Sequence, residues 1–212
     1  DLWDRFALQE DTGKKDFHLC LSEEDLHALV DGIRHQKLVC TRLETTADDP
    51  LRAEVVGLSL SWGEGRAAYV PLRHSYLGVP RQLEFPREAG TLKTLLEDNS
   101  IAKVGQDIKS HALVLRRHGI SLAEIHFDTM IASYVLNPGL KQHGLDTLAQ
   151  QHLGTRVLSY GEVAGKNRGP EAFCAVDVTK AMNYSCERAE VALRLKRLME
   201  RKLISDKNED LF

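Results

Sequence analysis

Glu44 is the first residue in this chain that could do chemistry. It stands near the end of the period-two run LVCTRLET (Leu38–Thr45), where the chain leaves a hydrophobic layer. A carboxylate at a strand end can ligate a hard cation or hold a nearby guanidinium. Other chemistries are poorly signalled. The nine histidines include no pair four residues apart, so no HxxxH or HExxH zinc pattern exists. Cys20, Cys40, Cys174 and Cys186 form no CxxC pair and read as reduced structural thiols. GxGxxG and P-loop signatures are absent, which leaves dinucleotide and nucleotide-triphosphate cradles unsupported.

The elements that must position Glu44 follow from periodicity. Two apolar runs, LVCTRLET and AEVVGLSLS, flank a turn at Ala47–Pro50 and predict a hairpin near the middle of a sheet. A third strand over Arg66–Pro71 follows the Gly63–Glu64–Gly65 turn, which makes an antiparallel meander. Short strands are predicted at Phe17–Cys20, Ile101–Val104 and Glu124–Phe127. Helices are predicted from a Ser22 cap with Asp25 at its third position, over Ala89–Glu97, Asp107–His118, Thr129–Leu136 and Leu145–His152, and from Val176 to Lys202. The strand–helix–strand order of 101–127 implies a parallel βαβ unit. Residues 158–175 read as loop-rich, with Gly161, Gly165, Gly169 and Pro170. The expected architecture is α/β, with residues 1–16 as a lead-in and 17–212 as one domain.

Composition narrows the function classes. The 212 residues carry 42% hydrophobic and 28% charged side chains, as in ordinary globular domains. A net charge of −3 gives no bulk attraction to nucleic acid, although a local basic face stays open. No apolar run approaches the roughly 18 residues of a membrane span, and no signal-peptide layout opens the chain, so a cytoplasmic location without membrane partners is expected. A first residue that is not Met and a charged tail fit a piece of a longer polypeptide.

Several segments occur together in a telling order: LET, VGLSLSW, KVGQDIK, FDTMIASYVLNP, HGLDTLAQQHLG and a tyrosine in the last helix. In this combination the chain resembles the 3'-5' proofreading exonuclease domain of bacterial DNA polymerase I, within the ribonuclease-H-like DEDD superfamily. The resemblance covers about residues 17–202. It implies a ribonuclease-H-like mixed sheet flanked by helices. In active members it also implies two-metal hydrolysis of a terminal phosphodiester by four carboxylates, with a tyrosine near the attacking water.

Carried over position by position, the family's Asp-x-Glu falls on Arg42–Leu43–Glu44. Its helix aspartate falls on His111, and its Tyr-x-x-x-Asp falls on Tyr184 and Arg188. One ligand of four remains. A guanidinium near 4 Å from a cation site adds roughly 4 kcal/mol of repulsion at intermediate dielectric. The expectation is therefore a catalytically inactive domain, with no metal and no cofactor of its own and with Glu44 paired to Arg42 or Arg188. The alternative is an active metal-dependent exonuclease with a rearranged set such as Glu44, Asp107 and His111. Asp128 is expected to cap the following helix. The resemblance also implies a polymerase module after Phe212, itself dependent on Mg²⁺, and single-stranded DNA as a partner. Lys109, Lys141, Gln142, His143 and Arg188 are the expected DNA contacts. Lys166, Asn167 and Arg168 read as a solvated basic loop.

Overall fold

The computed structural model describes residues 15–85, 90–166 and 168–212. Six strands form one sheet: β1 (Asp16–Leu19), β2 (Leu38–Thr45), β3 (Val55–Gly63), β4 (Arg66–Pro71), β5 (Ala102–Gly105) and β6 (Ile125–Asp128). Their spatial order is β1-β4-β3-β2-β5-β6. The β2–β3–β4 meander is antiparallel, as its short turns require. β5 runs parallel to β2, and β6 parallel to β5. β1 adds a parallel sixth strand on β4. Because it starts at Asp16, it takes in the last residue assigned to the lead-in. Residues 1–14 of that lead-in, and Ala89 of the predicted second helix, lie outside the described residues.

The helices are α1 (Glu23–Gln36), α2 (Gly90–Leu96), α3 (Ile108–Arg117), α4 (Thr129–Leu136), α5 (Leu145–Leu153), α6 (Tyr160–Ala164) and α7 (Val178–Ser205). One apolar layer joins α1, α2 and α3 to the sheet through Leu26, Ile33, Leu58, Leu95 and Leu115. A second joins α4, α5 and α7 to the opposite face through Cys40, Val104, Leu148, Leu195 and Leu198. Covered on both faces, β2 is buried along nearly its whole length.

The capping box predicted at Ser22 and Asp25 is present. α7 begins two residues later than expected because Asp177 accepts the Thr179 and Lys180 amides and sets the first turn there. Residues 158–175 are not all loop. They hold α6, opened by a Ser159–Glu162 capping box, and a 3-10 turn over Pro170–Ala175.

One close approach in the sheet depends on glycine. Tyr69 is buried, and its hydroxyl meets His74 Nε2 at 2.7 Å, while His74 Nδ1 meets the Val176 carbonyl at 2.8 Å. A carbonyl only accepts, so Nδ1 carries the proton and Nε2 accepts from the tyrosine. A Cβ on Gly57 would stand 2.0 Å from that hydroxyl. Gly57→Ala is therefore expected to cost about 2–3 kcal/mol of stability by overpacking. Urea denaturation checks this, and Tyr69→Phe in the same background should recover part of the loss.

Candidate functional site

Strand alternation puts Arg42 and Glu44 on the same face of β2. Arg42 Nε donates to Glu44 Oε1 at 2.8 Å, and the two side chains keep only 20% and 6% of their exposure. Burial works against the Arg42 charge, but Glu44, Tyr184 and Asp146 around it together outweigh that and hold the guanidinium's pKa above its ordinary value. Four residues apart on α7, Tyr184 and Arg188 share a helix face. The Tyr184 ring lies 5.9 Å from the Arg42 guanidinium carbon and 5.0 Å from that of Arg188, a cation–π contact on each side. Burial raises the Tyr184 phenol's pKa.

Arg188 does not join the Arg42–Glu44 pair. One terminal nitrogen reaches Asp146 on α5 at 2.5 Å, and the other donates to the Leu158 carbonyl at 2.9 Å. Asp146 was missed in the sequence, although the segment holding it, HGLDTLAQQHLG, was singled out. The gap lined by Arg42, Gln106, His111, Leu145 and Arg188 has no volume open to a water-sized sphere. On the other side of Arg42 a cleft of about 350 Å³ opens, lined by Glu44, Tyr160, Arg168, Phe173 and Tyr184.

His111 faces this centre from α3. Its Nδ1 is buried without a hydrogen-bond partner among the described residues. Burial, reinforced by the Arg42 charge, pushes its pKa down to about 3. Unfolded, the imidazole titrates near 6.5, so between pH 6.5 and 3 only the unfolded chain binds this proton. Stability is thus lost as pH falls through that window, by at most about 1.4 kcal/mol per pH unit. Between pH 7 and pH 5 the wild-type protein should lose more unfolding free energy than His111→Gln, with a difference of up to about 2 kcal/mol. Equal losses in urea titrations would refute that role for His111.

Asp128 ends β6 and caps α4 as expected, but it does more. Its Oδ1 accepts the Met130 and Ile131 amides at 2.8 and 3.4 Å. The same carboxylate accepts the Asp107 amide at 3.1 Å and the Ile108 amide at 2.8 Å, at the start of α3. Asp107 itself sits in the left-handed region and makes no side-chain cap.

The expected DNA contacts separate in space. Lys141 and Gln142 are exposed, in the turn before α5. His143 is buried, with Nδ1 2.8 Å from Ser133 Oγ and its ring stacked 3.6 Å from Tyr134. It cannot present its ring to a strand without leaving that stack. Arg188 is occupied by Asp146 and the Leu158 carbonyl. Lys109 is exposed but lines a different cleft, with Ile125 and Phe212. Arg168 lines the Glu44 cleft, while Asn167 lies outside the described residues.

Chemically, the centre offers two guanidiniums, each paired with a carboxylate (Glu44 and Asp146), and one neutral imidazole. Among the described residues, no three His, Cys, Asp or Glu side chains are grouped to hold a metal. No helix among them is long and apolar enough to cross a membrane.

Comparison with known proteins agrees with this fold. The 3'-5' exonuclease family profile of A-type DNA polymerases matches residues 17–204. The chain is 37% identical over 190 residues to DNA polymerase I of Pseudomonas aeruginosa, covering 89% of this chain and 21% of that protein. It is 39% identical over 179 residues to DNA polymerase I of Rhizobium leguminosarum, covering 74% of this chain and 17% of that protein. The chain thus spans about a fifth of the length of these relatives. Among solved structures, NrnC of Brucella melitensis superposes with a TM-score of 0.69 at 19% identity, over 93% of this chain and 85% of that one. The sheet and its flanking helices are those of the ribonuclease-H-like exonucleases. The chain belongs to the 3'-5' exonuclease domain family of DNA polymerase I.

Proposed function

We propose that this domain is a vestigial exonuclease: it no longer hydrolyses DNA, supports the polymerase module of a cytoplasmic DNA polymerase I, and contacts single-stranded DNA without cutting it. The observation that carries this reading is the 2.8 Å Arg42–Glu44 bond. The one carboxylate kept from the family's set already accepts from an arginine, which stays charged at any working pH.

Magnesium, which the family implies, does not fit these residues. A Mg²⁺ site needs several hard oxygen donors near 2.1 Å in octahedral array. Here Glu44 is engaged, Arg42 and Arg188 bring positive charge, and His111 offers a single buried nitrogen. Two cations would add to two guanidiniums, and the carboxylates beside them, Glu44 and Asp146, are already paired with those guanidiniums. Any magnesium requirement belongs to the polymerase module.

The DNA contact rests on the exposed Lys141, Gln142 and Arg168. Phosphate contacts from such residues act without metal and weaken with salt.

The test uses the purified protein, 5'-labelled single-stranded DNA and either Mg²⁺ or Mn²⁺. We expect no 3' nucleotide release above a protein-free blank, and binding that is unchanged by EDTA. Metal-dependent release that disappears in Glu44→Ala would overturn the proposal and establish an active enzyme with a rearranged ligand set.

A further inference from the structure

Positive charge gathers at the foot of the β2–β3 hairpin, outside the Arg42–Glu44 centre. Its focus is Glu54. Arg73 Nη2 lies 3.2 Å from that carboxylate, Arg117 Nη2 3.3 Å and His118 Nε2 3.7 Å. Arg117 also donates through Nη1 to the Ala53 carbonyl at 2.5 Å, so it is part of the fold. The Arg73 side chain is 55% exposed, and Glu54 is its only carboxylate partner among the described residues. Arg52, two residues before Glu54, is 85% exposed at the side chain and lies 3.5 Å from Asp49. Arg116, exposed beside Arg117, adds a fourth guanidinium. Burial holds the His118 imidazole below its ordinary pKa, so it adds no charge near neutral pH. Four guanidiniums thus face two carboxylates, in a chain whose net charge is −3.

Folding accounts for part of this cluster and not for the rest. Basic residues in the last turn of α3 suit the negative end of the helix dipole, which explains Arg116 and Arg117. Arg73 follows β4 and Arg52 lies in the hairpin turn, so neither gains from that dipole. Exposed ion pairs of this kind also add little stability. A planar guanidinium fork matches a phosphate group and can hold it by two parallel hydrogen bonds. The place of the cluster matters too. Thr46 Oγ1 accepts the Glu54 amide at 3.0 Å, and the adjoining Thr45 lines the Glu44 cleft together with Asp48. Through the hairpin, the cluster therefore adjoins that cleft.

We infer that Arg52 and Arg73, backed by Arg117, form a phosphate-binding patch that extends the path of single-stranded DNA from the Glu44 cleft over the foot of the hairpin. The inference rests on the reading above that this domain contacts single-stranded DNA. Continuity with the cleft selects a nucleic-acid backbone over an acidic polypeptide as the partner. The patch needs no metal and touches no base. Its grip is therefore independent of sequence and weakens with salt.

The test is phenylglyoxal labelling of arginines in the full-length chain, in EDTA, with and without oligothymidylate, read residue by residue by mass spectrometry. Arg66, exposed at the far end of β4, is the internal reference. Scaled to Arg66, Arg52 and Arg73 should label about threefold to tenfold more slowly once DNA is added, and raised salt should abolish that protection. Arg168 in the Glu44 cleft should be protected along with them. In Arg73→Gln, half-protection of Arg52 should need at least about threefold more DNA, because one phosphate contact is gone. Protection of Arg168 without protection of Arg52 and Arg73 would overturn this inference alone, and so would unchanged half-protection of Arg52 in Arg73→Gln. Protection by polyglutamate as strong as that by DNA would overturn it in favour of an acidic protein partner. If DNA protects none of the three arginines, the single-stranded DNA contact proposed for the domain falls as well.

Discussion

Asp128→Ala should lower the unfolding free energy by about 3–5 kcal/mol, although Asp128 is no part of the Arg42–Glu44 pair. The reason is the number of donors it serves. Its two oxygens accept four backbone amides, two from α4 and two from the start of α3. The residue is 4% exposed, so water cannot replace it. Each amide left without an acceptor costs roughly 1–3 kcal/mol, and relaxation of both helix starts recovers part of the sum. Asn should be only a partial substitute. It keeps one acceptor oxygen and turns an NH₂ group toward the other donors. Urea denaturation at constant m-value measures both variants. A loss below about 1 kcal/mol for Asp128→Ala would show that the carboxylate does not hold the two helices.

Glu44→Ala carries the second large effect, and there the sign matters more than the size. Removing Glu44 leaves the Arg42 guanidinium largely buried with no partner on its strand. The expected cost is about 2–4 kcal/mol, at the lower end of what breaking a buried pair costs because Arg42 keeps some solvent contact. The double variant Arg42→Met, Glu44→Leu should regain most of that loss, since an apolar pair needs no desolvation of charge. A working metal site predicts the reverse. Clustered carboxylates repel one another when metal is absent, so deleting one raises stability while abolishing activity. Thermal unfolding of Glu44→Ala in EDTA thus separates the two readings without any nuclease assay. The wild-type melting temperature should also stay put when Mg²⁺ replaces EDTA, because a ligand that binds the folded state must raise it.

Much of this was legible in the residues. The bounds of β2, β4 and α4 coincide with the predicted ones, because each is a clean apolar pattern closed by turn or cap residues. The Arg42–Glu44 pair could be anticipated because residues two apart on a strand share a face. The partner of Arg188 could not. Asp146 reaches it from α5 only because α5 packs on α7, and local spacing carries no trace of that. His143 misled for a related reason. Its neighbours Lys141 and Gln142 are polar and exposed, yet Ser133 and Tyr134 of α4 draw the imidazole inward. α6 is too short to show a period, and its only signal was the Ser159–Glu162 box.

The two ion pairs at the centre also bear on how such a domain can change over generations. An aspartate introduced alone at position 42 would meet Glu44 with no counter-charge between them. One introduced alone at position 188 would strand Asp146 and the Leu158 carbonyl, which now share one guanidinium. One introduced alone at position 111 would face the Arg42 and Arg188 guanidiniums that line the same gap, which would hold it and leave no room for a cation. The single steps at 42 and 188 run downhill in stability before any cation can compensate, and the step at 111 alone builds no cation site. The arrangement works as a ratchet: selection for a folded support holds it in place, and proofreading returns only if several positions change together.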